Sequence, residues 1–75
     1  MIDLNSLHVF YVVVSAGGYS AAHRKTGQSR ATLSRHIIAL EEHLAVRLIE
    51  RSTRSFRLTE QGQILYAHCQ ELFAQ

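Results

Sequence analysis

The side chains of this sequence that could bind a ligand are mostly cationic, and they are concentrated in one stretch. All eight Lys and Arg residues lie between Arg24 and Arg57, where three Glu residues oppose them and leave a net charge of +5. The other residues hold three acidic side chains and no Lys or Arg. Concentrated positive charge is typical of a surface that binds a polyanion, with nucleic acid as the first candidate, and a solvated charged face is the alternative. Arg47, Arg51 and Arg57 could equally pair with acidic side chains or with phosphates.

The histidine, serine and glutamate patterns give little support to catalysis or to metal binding. The five histidines never fall at i, i+4 spacing, and His36 and His43 lie ~10 Å apart along a helix axis, too far to share one ion. Glu41 and Glu42 are adjacent and point about 100° apart on a helix, so they would solvate the helix or pair with Arg rather than act as an acid/base pair. Ser34 lacks the G-x-S-x-G elbow of a nucleophile. The sequence therefore predicts no catalytic residue, no metal site and no cofactor.

Length and composition favour one small globular domain. The chain has 75 residues, of which 47% are hydrophobic and 19% charged, enough apolar material for a core. One cysteine, Cys69, excludes an internal disulfide and fits a reducing compartment. We find no signal-peptide pattern, and the longest strongly apolar run, residues 9–14, is too short to span a bilayer. We expect a cytoplasmic protein without membrane contact.

Apolar residues at helical spacing predict four helices separated by turns. The first helix ends at Gly17 and Gly18, and its apolar face is Leu4, Leu7, Tyr11 and Val14, widened by Phe10 and Val13. The second covers residues 20–26 with Ser20 as N-cap, and the last starts at residue 60 after Thr59. The third covers residues 30–44 with Ser29 as N-cap, and its apolar stripe is Leu33, Ile37, Leu40 and Leu44. Residues 46–58 alternate apolar and polar side chains at their two ends. This predicts a two-stranded hairpin with a turn at Ser52, Thr53, Arg54 and Ser55.

Two short helices joined at Gly27, the second with a basic N-terminal end, describe a helix-turn-helix, and the hairpin that follows describes a wing. An α-helix fits the major groove of DNA, and its N-terminal turns reach furthest into it. Arg54 at the hairpin tip can enter the electronegative minor groove. The alternative is a winged-helix module that binds a protein and not DNA. Arg30, Arg35 and Arg54 argue against it, because such modules tend to carry an acidic or apolar face there.

An ordered set of residues between positions 4 and 72 resembles the N-terminal domain of LysR-type transcriptional regulators. The matching segments are residues 7–10, 19–22, 27, 29, 33–35, 37, 40–44, 46–51, 54, 58–60 and 62. The resemblance implies a mostly α fold: a winged helix-turn-helix with a two-stranded wing over residues 1–58, then the start of a linker helix over residues 59–75. It implies a regulator that binds double-stranded DNA, with a separate C-terminal effector domain, absent from this sequence, as the place for a small-molecule effector.

The resemblance also implies a set of contact residues. Ser29, Arg30, Ala31, Thr32, Ser34 and Arg35 match the major-groove positions, Arg54 matches the wing position, and Thr59 matches a phosphate contact. Arg35 could contact a base or a phosphate. The resemblance implies a homodimer through the linker helix and allows higher oligomers of a full-length protein. On that helix we expect the stripe Leu65, Cys69 and Leu72 to be partly core and also to meet a second copy.

Five positions depart from the family pattern. His23, Thr26 and Gln28 stand where Ala, Leu and Val are usual, and unmet hydrogen bonds there would cost ~1–3 kcal/mol each. We therefore expect a less tightly packed or locally rearranged helix-turn-helix. Ala45 stands where Gly is common, at a cost of roughly 1 kcal/mol if the backbone φ is positive. Arg30 replaces a frequent Gln, which shifts the expected base preference from adenine towards guanine.

Overall fold

The computed structural model describes residues 3–51 and 54–73, and within these ranges it forms four helices. They are α1 (Leu4–Ala16), α2 (Tyr19–Thr26), α3 (Arg30–Leu44) and α4 (Glu60–Phe73). α1 lies at the centre and contacts the other three, while α2 and α3 pack on each other. The mostly helical prediction is confirmed. Over the described residues, none of the helices combines the length and the apolar character that a bilayer crossing requires.

The core is built from one side of each helix and from the segment after α3. The predicted stripe of α3 is confirmed, since Leu33, Ile37 and Leu40 are buried and Leu44 is half-buried against them. On α1 the most buried side chains belong to the widened part of the predicted face, and Leu4 at its end is exposed. The buried apolar residues are Val9, Phe10, Val13, Ala22, Leu33, Ile37, Leu40, Leu48, Ile49 and Cys69.

The turn between α1 and α2 consists of two glycines. Gly17 and Gly18 have φ angles of 100° and 144°, which L side chains rarely adopt. The N–H of Gly18 donates to the Val13 carbonyl at 3.0 Å, so the chain reverses within two residues. α2 can therefore begin at Tyr19 with Gly18 as its N-cap, and the prediction of Ser20 as N-cap is wrong. Ser20 lies instead in the first turn of α2.

α3 ends at a residue with left-handed backbone conformation. Ala45 has φ 59° and ψ 34°, and its N–H donates to the Glu42 carbonyl at 3.3 Å. The positive φ considered at this position is thus present. Alanine here costs roughly 1 kcal/mol relative to glycine, because its Cβ approaches the following carbonyl oxygen.

The segment between α3 and α4 forms one antiparallel bridge within the described residues, between Ile49 and Leu58. The two-stranded wing is therefore not confirmed, and this segment is called the wing segment (residues 46–58) below. Ser52 and Thr53, which were expected at its turn, lie outside the described residues. Arg54 lies at a bend beside them and is exposed.

The carboxylate of Glu41 joins α3 to the wing segment. Glu41 is only 7% exposed. Its Oε2 accepts hydrogen bonds from the backbone N–H groups of Leu48 and Ile49 at 2.8 and 3.2 Å, and its Oε1 is ion-paired with Arg51. Two consecutive N–H groups are thus used by a side chain from α3. The bridge between Ile49 and Leu58 is flanked by bonds from the Glu50 N–H to the Arg57 carbonyl and from the Thr59 N–H to the Leu48 carbonyl. In such a pair the Ile49 N–H points away from the other strand, so Glu41 withdraws only the Leu48 N–H from a ladder.

Thr59 and Gly62 fix the start of α4 against the wing segment. The Thr59 hydroxyl accepts from the Gly62 N–H at 3.0 Å and donates to the Arg47 carbonyl at 2.6 Å, which confirms Thr59 as the cap. The Thr59 N–H donates to the Leu48 carbonyl at 3.0 Å. A Cβ on Gly62 would lie 2.1 Å from that carbonyl oxygen. Glycine is therefore required for the close approach of α4 to residue 48.

α4 runs antiparallel to α1 through a row of ring contacts. The His8 ring meets Phe73 edge-on at 4.9 Å, and Tyr11 stacks on Tyr66 at 5.8 Å. The hydroxyls of Tyr66 and Ser15 are 2.8 Å apart. Aromatic pairs of this geometry contribute beyond their buried area, so they define the orientation of α4.

The stripe expected on α4 is divided between core and surface. Cys69 is 1% exposed and belongs to the core, Leu65 is half-buried against that core, and Leu72 is 54% exposed. Ile64 is exposed as well. Cys69 is thus out of reach of a second copy in this conformation. Burial also raises the pKa of the Cys69 thiol.

Candidate nucleic-acid interface

The N-terminal end of α3 presents the residues that the sequence assigned to the major groove. Ser29 caps the helix: its Oγ accepts from the Thr32 N–H at 3.1 Å and donates to Thr32 Oγ1 at 2.9 Å. The opposite side of this turn is anchored by Leu33, which is 1% exposed. The structure brings all six positions together here: Ser29, Arg30, Ala31 and Arg35 are exposed, and Thr32 and Ser34 are half-buried.

Both arginines at this end of α3 are held by hydroxyl groups. Arg35 Nη2 donates to Thr32 Oγ1 at 3.2 Å, one turn back on the same helix. Arg30 Nη1 donates to Ser20 Oγ at 3.3 Å, across to α2. The two guanidinium groups therefore have preferred orientations before any ligand is present. The contact of Ser20 with Arg30 was not predicted from the sequence, because Ser20 was expected to be the N-cap of α2.

The turn between α2 and α3 is closed by the polar residues that depart from the family pattern. His23 Nδ1 donates to the Gln28 carbonyl at 2.8 Å, so Nδ1 carries a proton. Thr26 Oγ1 donates to the Ala22 carbonyl at 2.9 Å and accepts from the Gln28 N–H at 3.1 Å. Gly27 has φ 80°, as the turn requires. The predicted helix-turn-helix geometry is thus maintained, and the cost expected for unmet hydrogen bonds does not apply to these groups.

A groove of about 520 Å³ lies between the start of α2 and the wing segment. Arg24, Arg51 and Arg54 line it. Arg51 is neutralised by Glu41, whereas Arg24 and Arg54 are exposed. Sequence reasoning did not single out Arg24, although its i+4 spacing from Ser20 was a usable signal, since both belong on one side of α2.

A phenol group is buried behind this groove. The Tyr19 hydroxyl lies near Ser34 and Arg51, and it forms no hydrogen bond of good geometry among the described residues. Burial raises the pKa of Tyr19 above its ordinary value of 10.0, and the nearby Arg51 opposes that shift. Ser34, expected to face the groove of DNA, is thus turned partly towards α2.

Thr59 is placed differently from the phosphate contact that the resemblance implied. Its hydroxyl hydrogen is donated to the Arg47 carbonyl, and the oxygen accepts from the N–H of Gly62. A serine or threonine hydroxyl has one hydrogen to donate. In this arrangement Thr59 therefore has no hydrogen for a phosphate oxygen.

A histidine, a serine and an aspartate meet where the start of α1 packs on α3. His36 Nδ1 lies 3.2 Å from Ser6 Oγ, and the Asp3 carboxylate lies 3.4 Å from the same hydroxyl. The carboxylate thus contacts the serine and not the histidine, which is not the order of a hydrolytic triad. Across residues 3–51 and 54–73, no three His, Cys, Asp or Glu side chains are grouped as a metal site requires.

Comparisons with known proteins agree with this geometry. The family described as "Bacterial regulatory helix-turn-helix protein, lysR family" matches residues 4–63. An HTH-type transcriptional regulator of Xanthomonas campestris pv. campestris is 40% identical over 70 residues, which is 93% of this chain and 20% of that protein. The chain thus spans about a fifth of the length of this curated relative.

Solved structures give the same result. The full-length virulence activator AphB of Vibrio cholerae, a member of the LTTR family, superposes with a TM-score of 0.86 at 40% identity, covering 93% of this chain and 24% of that one. BenM_DBD in complex with catB site 1 DNA superposes with a TM-score of 0.87 at 32% identity, covering 96% of this chain and 77% of that one. With the family match over most of its length, the chain belongs to the lysR family of bacterial regulatory helix-turn-helix proteins.

Proposed function

We propose that this chain binds double-stranded DNA sequence-specifically, as the DNA-binding domain of a LysR-type transcriptional regulator. The observation that carries the proposal is the N-terminal end of α3, where the exposed Arg30 and Arg35 project from a helix whose other side is buried. A helix anchored on one side and basic on the other fits the major groove. The DNA complex of the similar BenM_DBD supports the same partner.

In the proposed complex, α3 enters the major groove and the wing segment lies along the adjacent backbone. Ser29, Arg30, Ala31, Thr32, Ser34 and Arg35 form the major-groove surface. Arg54 is placed to reach a minor groove narrowed by A·T pairs, which attracts arginine. Thr59 contributes indirectly, by fixing the start of α4. This arrangement divides the chain into a DNA-binding part, residues 1–58, and the start of a linker helix, residues 59–75.

Salt dependence of duplex binding tests the proposal. Each phosphate that the protein neutralises contributes about −0.9 to the slope of log K against log salt concentration. Fluorescence anisotropy with labelled duplex over a series of salt concentrations should therefore show a steep decrease in affinity. If the affinity for duplex did not change with salt concentration, the proposal of DNA binding would be wrong, and a winged-helix module that binds protein would be favoured.

A pair of arginine variants locates the interface. Arg35→Ala should cost ~1–3 kcal/mol on a specific site and reduce discrimination at one or two base pairs. Arg47→Ala is the charge-matched comparison: Arg47 is exposed and lies in the wing segment, outside the proposed major-groove surface, so its loss should weaken binding to specific and random duplex by the same factor. If Arg35→Ala lost the same affinity for specific and for random duplex, Arg35 would contact a phosphate and not a base. If neither variant changed the affinity for any duplex, the interface would lie elsewhere.

Dimerisation through α4 is the second part of the proposal. Leu65 and Leu72 lie seven residues apart, close to one line on the helix. The exposed Leu72 and Ile64 leave apolar surface on α4 that none of the described residues covers. A two-fold dimer would present two copies of α3 to half-sites about one helical turn apart, or a multiple of it, and the operator would be an inverted repeat.

Sedimentation of charge variants tests the dimer. Leu72→Glu should shift the population towards monomer without unfolding the domain, because the side chain is exposed in the single chain. Gln70→Glu adds the same charge on the opposite side of α4 and should sediment like the parent. If Leu72→Glu also sediments like the parent at every concentration, the dimer contact lies elsewhere.

Effector binding and higher oligomers are the remaining parts of the proposal, and both involve regions that the longer relatives have in addition to the part matched by this chain. We propose that a full-length protein carries a C-terminal domain that binds a small-molecule effector, and that it can form higher oligomers. Binding to chromosomal DNA would place it in the bacterial cytoplasm. Differential scanning fluorimetry of a full-length protein with and without candidate effectors would test the effector part.

A further inference from the structure

The contact between Ser20 and Arg30 joins the two helices of the helix-turn-helix at their ligand-facing ends. Ser20 lies in the first turn of α2 and Arg30 is the first residue of α3. Both side chains are exposed, and the bond from Nη1 to Oγ is 3.3 Å. The comparable bond at Arg35 goes to Thr32 on its own helix. Arg30 is thus oriented from outside the recognition helix.

The Ser20 hydroxyl leaves most of the Arg30 guanidinium available. A guanidinium has five N–H donors in a planar fork, and this bond uses one of them. The second hydrogen of Nη1 and those of Nη2 and Nε remain, enough for a bidentate pair with O6 and N7 of guanine. A long side chain loses conformational freedom when a ligand fixes it, so a side chain that is already restrained loses less.

The position of Arg30 also favours a base over a phosphate as its partner. A cation at a helix N-terminus is disfavoured by the helix dipole, so the side chain gains from extending away from the helix end. Arg24 and Arg54 line the groove at the start of α2, whereas Arg30 does not line it and stands at the first turn of α3. Arg30 and Arg35 are five residues apart, ~7.5 Å along the axis, or about two base-pair steps. They therefore address different base pairs.

We propose that Ser20 is a positioning residue for Arg30, and that this pair specifies a guanine in each operator half-site, separate from the base pair that Arg35 contacts. The inference rests on the proposed function, because it assumes that α3 enters the major groove. It adds to that function a residue on α2 and the identity of one base.

The test uses duplexes selected by the unmodified chain from a randomised pool. Each conserved G·C pair is replaced by A·T, and affinities are measured by fluorescence anisotropy. At the Arg30 position the replacement should weaken binding by the unmodified chain about 5- to 150-fold, the range for a bidentate pair. Arg30→Ala should bind the original and the replaced duplex equally.

Ser20 variants separate positioning from direct contact. Ser20→Ala should lower the discrimination at that base pair several-fold and leave the affinity for random duplex unchanged. Ser20→Thr, which keeps the hydroxyl, should restore the discrimination. In an Arg30→Ala background, Ser20→Ala should have no further effect. Thermal unfolding by circular dichroism checks that each variant remains folded.

Three results would overturn the inference and leave DNA binding in place. An equal loss on every duplex for Ser20→Ala would make its hydroxyl a phosphate contact. If Ser20→Ala left the discrimination between G·C and A·T unchanged, its contact with Arg30 would have no role in base recognition. If no G·C pair in the selected sites lost its effect in Arg30→Ala, the assignment of a guanine to Arg30 would be excluded. Failure of the proposed function is distinct from these, since the unmodified chain would then show no salt-dependent binding to any duplex.

Discussion

Replacement of Glu41 should destabilise the fold far more than replacement of its neighbour Glu42. Glu41→Ala leaves the N–H groups of Leu48 and Ile49 buried without an acceptor, and each costs about 1–3 kcal/mol. The Arg51 ion pair adds little, since the Arg51 side chain is 36% exposed. We expect a loss of about 3–5 kcal/mol in the free energy of unfolding. A 75-residue domain has about 4–11 kcal/mol in total, so this is a large fraction.

Urea unfolding followed by circular dichroism measures the effect. With an m-value of about 1 kcal/mol/M for a small domain, the midpoint for Glu41→Ala should fall by about 3 M or more. Glu42→Ala removes the same charge from an exposed position on the same helix and should stay within about 0.5 kcal/mol of the parent. Glu41→Gln should lie between them, because it keeps an oxygen for the two N–H groups and turns an amide towards Arg51. Equal midpoints for the two alanine variants would refute the role of Glu41.

Three further changes have signs that the structure fixes. Gly62→Ala should destabilise by about 3 kcal/mol or more in thermal unfolding, because its Cβ would overlap the Leu48 carbonyl; the usual helix preference for Ala over Gly predicts the opposite sign. Ala45→Gly should raise the free energy of unfolding by about 0.5–1 kcal/mol, since the positive φ suits glycine, and a decrease would contradict this assignment. Burial raises the pKa of both Cys69 and Tyr19, so the folded state holds these protons more strongly. The stabilisation is therefore fully present below the ordinary pKa of the thiol and is lost as the pH rises above it. Urea midpoints from neutral to alkaline pH should fall less for Cys69→Ala and Tyr19→Phe than for the parent.

The helices could be predicted because their signals are local. α3 combines an apolar stripe with a capping Ser29, and both lie within its own sequence. The start of α2 was missed because Ser20 is a strong N-cap type, whereas the observed cap depends on the unusual backbone of Gly18. The contact of Glu41 with the N–H groups of Leu48 and Ile49 could not be predicted from the alternation of the wing segment, because it joins that segment to α3.

The position of the candidate site residues at the start of α3 could be predicted from the sequence, whereas their contacts could not. The exposure of Arg35 follows from helical periodicity, which places it opposite Leu33 and Ile37. Arg30 lies on the side of Ile37 and is exposed as the first residue of α3. Burial of Glu41 had a usable signal as well, because it lies four residues after Ile37 on the apolar side, where a charge needs partners. The bond between Ser20 and Arg30 had no signal in the sequence, because it depends on how α2 and α3 cross.

The ring contacts between α1 and α4 set the tilt of α4, and a small change in that tilt moves the far end of the helix by several ångströms. α4 has 14 residues and is about 21 Å long, and it is fixed at one end by Thr59 and Gly62. A tilt of about 10° around that end would move the other end by about 4 Å, more than one base-pair step along DNA. If two copies are joined through α4, the stacking of Tyr11 on Tyr66 therefore sets the distance between their two α3 helices. A change in ring packing far from the DNA would then alter which half-site spacing the pair can span.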